Sequence, residues 1–104
     1  MLKNVGEGVG KLLEKNVEDE LVRRVKDLGG ECFKFISPGN SGVPDRIVIL
    51  NSKVVFVELK RPNGKTRKLQ DVQLRRLQGL GANVKVISSI DEVNSFIEEV
   101  RNGI

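Results

Sequence analysis

The stretch "GVPDRIVILNSKVVFVELKRP", residues 42–62, holds two apolar runs joined by a short polar turn at Asn51 and Ser52, the pattern of a β-hairpin. Three charges interrupt it: Asp45 opens the first run, and Glu58 and Lys60 stand near the end of the second. Side chains alternate along a strand, so Glu58 and Lys60 share a face, about 7 Å apart, with Phe56 and Val54, while Leu59 points the other way. A two-residue turn pairs Leu50 with Lys53 and, counting outward, sets Asp45 opposite Glu58. A four-residue loop keeps that pairing, whereas a three-residue loop moves Asp45 to the other face.

Facing like charges destabilise a strand pair, and burying them costs more. A divalent cation between the two carboxylates, with Lys60 close by, would offset the repulsion. The alternative is a solvated edge hairpin in which Asp45 merely follows a proline and Glu58 pairs with Lys60 or Arg61. Apolar residues on both faces of both strands argue against an edge and for a central position with helices on each side.

Upstream of the hairpin, residues 16–28 read as a helix, with Val17, Leu21, Val25 and Leu28 on one side and Gly29-Gly30 as the stop. "ECFKFI" follows as a short strand, and "SPGNSG" as a loop. Downstream, "RPNGK" breaks the pattern, Thr66 is a candidate N-cap, and Leu69, Leu74, Leu77 and Leu80 mark a second helix that ends at Gly81. "NVKVI" is a fourth strand, and "SIDE", residues 89–92, has the Ser-x-x-Glu form of a capping box before Val93, Phe96, Ile97 and Val100. The order α-β-β-β-α-β-α predicts an α/β fold: an antiparallel hairpin, then a parallel pair joined by a right-handed crossover, in one mixed sheet flanked by helices.

At 104 residues and 38% apolar, the chain suits a single domain over residues 1–104, with a core of about 17–88 and a C-terminal helix of about 90–102. Eighteen Lys and Arg against 14 Asp and Glu give a net charge of +4, which favours polyanionic partners. Cys32 is the only cysteine and there is no histidine, which excludes a disulfide framework, a cysteine-rich zinc site and the commonest general base. Any metal must be held by oxygen, so a hard cation such as Mg²⁺ or Mn²⁺ is expected. No segment is apolar enough to span a membrane, and the N-terminus lacks the apolar core of a secretory signal, so a cytoplasmic location is expected, in a bacterial cell or in a host cell for a virus-encoded protein. Cys32, with no histidine to activate it, reads as strand packing. The N-terminal "GEGVGK" fits neither the dinucleotide fingerprint nor the P-loop.

The segments "GVPDRIVIL" and "VVFVELKRP" resemble the PD-(D/E)xK nuclease superfamily and, within it, the small stand-alone VRR-NUC domains of viruses and bacteria. The similarity runs over about residues 17–86, through "LGG", "FKFISPGNSGVPDRIVIL", "VVFVELKRPNGK" and the "KLQ" that opens the second helix. It implies a restriction-endonuclease-like fold and a metal-dependent DNA nuclease. The family pattern also carries a glutamate on the first helix. At about 100° per residue, Glu18 falls inside the apolar arc of Val17, Leu21, Val25 and Val22, and Asp19 and Glu20 fall outside it.

By that resemblance Asp45, Glu58 and the backbone carbonyl of Leu59 hold Mg²⁺ or Mn²⁺, and Glu18 reaches the cation directly or through water. Lys60 orients the attacking water or stabilises developing charge. It could serve as a general base only if its pKa fell well below roughly 10.4. Gln70 occupies the family's "LQ" position, to hydrogen-bond Lys60 or the scissile phosphate, and Gln73 shares its side of the helix. Lys60, Arg61, Lys65, Arg67 and Lys68 form a candidate phosphate track, joined by Arg46 beside the site. Ser37, Gly39 and Ser41 lead into Asp45 and could present backbone N–H groups to DNA, or form only a flexible connection. The resemblance further implies a homodimer, similar in some members to Holliday junction resolvases. With little surface to select a long sequence, the chain is expected to cut branched DNA such as Holliday junctions, the alternatives being a nicking or exonucleolytic DNase or a non-catalytic DNA-binding regulatory module, and Val72, off the core arc of the second helix, is a candidate apolar contact between subunits.

Overall fold

The computed structural model of the chain describes residues 5–60 and 68–103. Among them are α1 (Val5–Asp27), β1 (Glu31–Lys34), β2 (Arg46–Leu50), β3 (Lys53–Leu59), α2 (Lys68–Gly79), β4 (Asn83–Ile87) and α3 (Ile90–Arg101), in the predicted order. The hairpin turn is the two-residue kind: Asn51 and Ser52 both have positive φ, 53° and 64°. That backbone twist matches the twist of the flanking strands, as in type I′ turns. It fixes Leu50 opposite Lys53 and Arg46 opposite Val57, so the register that faces Asp45 with Glu58 is the one adopted. The Asn51 amide also donates to the Val100 carbonyl at 2.8 Å, tying the turn to α3.

The sheet order is β1-β2-β3-β4. The first three strands form an antiparallel meander, and β4 joins β3 in parallel, with α2 in the crossover between them. One face of the sheet is closed by α1 and α3. There Val17, Leu21 and Val25 meet Cys32, Val48, Leu50, Val55, Val57 and Leu59, and Ile87, Val93, Phe96, Ile97 and Val100 complete the core. Gly30, between α1 and β1, allows a close approach: a Cβ there would stand 2.6 Å from the carbonyl oxygen of Ile49. Burial pushes the Cys32 thiol pKa up, consistent with packing.

Helices lie on both sides of the sheet, as expected, but among the described residues cover on the opposite face is partial. α2 packs against β4 and reaches Glu58 through Gln70, but only Leu74 of its apolar residues is buried. Leu69 and Leu80, expected in that helix's apolar arc, are 54% and 77% exposed. Phe33, Ile49 and Val54 stay about half exposed on the same face. Among the described residues this 12-residue helix is the cover on that face of the four-stranded sheet.

Three further details depart from the sequence reading. α1 begins well before residue 16, because extending a helix already held by packing costs little compared with starting one. Leu28 lies one residue beyond the end of α1 and is half exposed. The Ser89 hydroxyl caps α3 by accepting from the Glu92 N–H, but the Glu92 carboxylate reaches back to the N–H and hydroxyl of Ser88, one residue farther than a capping box requires.

Candidate active site

Asp45 precedes β2, and Glu58 and Leu59 end β3, so the hairpin brings them to one edge of the sheet. The β3 chain stays in the ladder one residue further, where the Lys60 N–H donates to the Ile87 carbonyl at 2.9 Å. Alternation therefore puts Lys60 on the face of Glu58. This edge holds the carboxyl ends of the parallel strands β3 and β4, the usual location of sites in α/β sheets.

The two carboxylates occupy unlike environments. Asp45 is exposed, and its Oδ2 accepts the Leu59 N–H at 2.9 Å. Glu58 is 2% exposed. Its Oε2 accepts from the Gln70 amide and lies 3.2 Å from the Lys60 ammonium. Lys60 in turn donates to Gln70 Oε1, so Glu58, Lys60 and Gln70 close a ring across β3 and α2. Burial first, and then the Asp45 charge, push the Glu58 pKa up to about 7, while Lys60 pulls it down.

Glu58 Oε1 is buried and has no hydrogen-bond partner. A buried acceptor left bare costs about 1–3 kcal/mol, and more when it is charged. Hard divalent cations take oxygen donors, and Mg²⁺ is commonly bound by one or two carboxylates with water and phosphate completing the shell. Glu58 Oε1, the Asp45 carboxylate and the adjacent Leu59 backbone fit that donor set. Among the described residues no group of three acidic, histidine or cysteine side chains comes together, so the protein would supply two carboxylates.

Glu18, expected as a further carboxylate at the metal, pairs with Arg46 in this structure. Arg46 Nε donates to Glu18 Oε2 at 2.9 Å, and Arg46 Nη1 to the Cys32 carbonyl at 3.0 Å. Arg46, expected to face DNA, thus ties α1 to β1 and β2 directly beside Asp45, with its side chain only 13% exposed. Glu18 does face the sheet, as its helical phase requires. The cation it meets there was not legible, because Arg46 looked like part of a basic surface.

The 37–42 loop folds over the same edge. Asn40 donates from its backbone to the Ser37 carbonyl at 3.0 Å and from its side chain to the Ser37 hydroxyl at 3.1 Å, which makes the loop a defined turn. Gly39 is exposed, and the Ser41 carbonyl accepts from the Gln73 amide at 3.3 Å. Lys68 is exposed at the start of α2. Arg61, Lys65, Arg67 and the expected cap Thr66 lie outside the described residues. Sequence reasoning missed Gly42, which packs on the backbone of Gln70; the only signal was a glycine three residues before Asp45.

No family model matches the sequence. The protein "Putative nuclease p44" of Acyrthosiphon pisum secondary endosymbiont phage 1 is 46% identical over 79 residues, which span 75% of this chain and 85% of that protein. A solved structure described as a VRR_NUC domain is similar with a TM-score of 0.76 and 37% identity, covering 82% of this chain and 94% of that one.

Proposed function

The chain belongs to the VRR-NUC family of nucleases, and on that premise we propose that it is a Mg²⁺- or Mn²⁺-dependent deoxyribonuclease that hydrolyses phosphodiester bonds in branched DNA. One observation carries the chemistry: a buried, unpartnered Glu58 oxygen beside Asp45, with Lys60 and Gln70 locked onto the other oxygen. Asp45, Glu58 and the Leu59 carbonyl would hold the cation. When bound, such an ion neutralises phosphoryl charge and acidifies a coordinated water.

Lys60 acts by position and charge. Its ammonium, held by Gln70 and Glu58, is placed to orient the attacking water or to donate to a phosphoryl oxygen as negative charge develops there. Gln70 keeps that ammonium in place. The basic residues 61, 65, 67 and 68 and the 37–42 loop would follow the DNA backbone, fixing register without reading sequence. Glu18 holds Arg46 and so steadies the start of β2 next to Asp45.

Selectivity for branched DNA rests on the small surface available to read sequence and on a homodimer, in which two sites would meet two strands symmetrically. The half-exposed Val72, Leu69, Ile49 and Val54 supply apolar surface for such a pairing. None of the helices among the described residues is long and apolar enough to cross a membrane, and with a phage relative this supports action in the cytoplasm of a bacterial host.

The test is cleavage of a labelled four-way junction, beside linear duplex and single strands, with Mg²⁺ or Mn²⁺ and with Asp45→Ala as control. Symmetric, metal-dependent cuts at the junction are expected, reduced at least ~100-fold in Asp45→Ala, as for loss of one preorganised charge contact. Equal cutting of all substrates would remove the branched-DNA assignment and leave a nicking or exonucleolytic nuclease. Binding without cutting would make the protein a DNA-binding regulatory module.

A further inference from the structure

Gly42 has a backbone that side chains rarely adopt, φ +81, and a crowded neighbourhood. A Cβ built on it would stand 3.1 Å from Gln70 Cα, 3.3 Å from Gln70 N and 3.3 Å from Leu69 O. All three are main-chain atoms of the first turn of α2, so none can rotate away. The adjacent Ser41 carbonyl accepts from Gln73, one helical turn on, which makes a second tie between loop and helix. The residue pressed by Gly42 is also the one whose side chain bonds both Lys60 and Glu58.

We infer that Gly42 is a positioning residue: by letting the 37–42 loop seat directly on the first turn of α2, it fixes where Gln70 holds Lys60 against Glu58. The packing part of this stands on geometry alone, and its catalytic consequence rests on the nuclease reading above. A Cβ at residue 42 must push the loop, the helix turn or both outward by a few tenths of an ångström. The lever is short, because Gln70 bonds the two site residues with nothing between. The loop also continues through Val43 and Pro44 into Asp45, so one displacement reaches the site from two sides.

The test combines Gly42→Ala with a control for backbone strain, Gly29→Ala. Gly29 has φ +84 and nothing within 4 Å of a built Cβ, so it carries the strain without the contact. In ¹⁵N spectra the Gln70 side-chain amide signals are expected to shift in Gly42→Ala and to stay in place in Gly29→Ala. In DNA cleavage, Gly42→Ala is expected to lower kcat about tenfold with KM changed less than about threefold, on the scale of small misplacements in an active site. In a Gln70→Ala background the same substitution should cost no more than about twofold, because the two act through one contact.

Unmoved Gln70 signals in folded Gly42→Ala, or a full kcat loss persisting in the Gln70→Ala background, would overturn the inference. Should Gly42→Ala fail to fold, Gln73→Leu removes the second tie and is expected to shift the same signals, and unmoved signals there would overturn it equally. If the wild-type chain cuts no DNA, the nuclease reading falls while the spectra still decide the role of Gly42.

Discussion

Along β3 the odd-numbered residues Val55, Val57 and Leu59 and the even-numbered Val54, Phe56 and Glu58 meet different surroundings. The odd set enters a closed apolar layer under α1 and α3, with each residue at most 5% exposed. The even set lies on the partly covered face, where Val54 is 48% exposed and Glu58, four residues on, is sealed by Lys60 and Gln70. The same strand therefore holds the fold together on one side and carries the candidate chemistry on the other. Rigid flanks matter here: Val57 and Leu59, locked in the core, fix the backbone that aims Glu58 and presents the Leu59 N–H to Asp45.

The difference between the faces can be broken most severely from the closed side. Ile97 is 1% exposed, and Ile97→Ala should destabilise the chain by about 2–5 kcal/mol in denaturant melts. A loss under about 1 kcal/mol would mean that α3 does not carry the core.

On the site side the effect depends on pH. Glu58 has a folded pKa of about 7 against an ordinary 4.5, so the folded chain binds its proton more tightly than the unfolded chain. Stability from this group is complete below about pH 4.5 and is lost as pH rises through about 7. Thermal melts in EDTA should show the midpoint falling between about pH 5 and pH 8, and Glu58→Gln should flatten that fall while removing cleavage. Added Mg²⁺ should restore the high-pH midpoint of the wild type and leave Glu58→Gln unchanged. A pH-independent midpoint in the wild type would show that Glu58 is hydrated and ordinary.

The smallest effect belongs to the open half of the site face. Val54→Thr should change monomer stability by no more than about 0.5 kcal/mol, since the side chain is half exposed. Elution volume at high concentration sharpens the comparison. A wild-type dimer weakened by Val54→Thr would assign that surface to the subunit contact, and monomeric elution of the wild type would remove the homodimer from the proposed function.

Much of this was legible from one stretch of chain. The hairpin pattern predicted the antiparallel β2–β3 pair and, with a two-residue turn, Asp45 opposite Glu58, because strand alternation is a local rule, while the "LQ" resemblance pointed Gln70 at Lys60 or the phosphate, and the structure has the Lys60 contact. The same kind of rule, helical phase, misjudged Leu69 and Leu80, which have the right phase on α2 but are 54% and 77% exposed. Nor could such rules show the partner of Arg46, which is Glu18, 28 residues away in sequence.

Sequence alone determined the strand and helix order and the side chains that share a face of β3. Each follows from periodicity that does not depend on distant residues. Only the tertiary structure decided that Asn51 and Ser52 make a two-residue turn, that Glu18 pairs with Arg46, that Glu58 is left with a bare buried oxygen, and that Gly42 presses on Gln70. Those outcomes depend on which segments meet across the sheet, and a contact between residues far apart in the chain is set by packing against every other element at once.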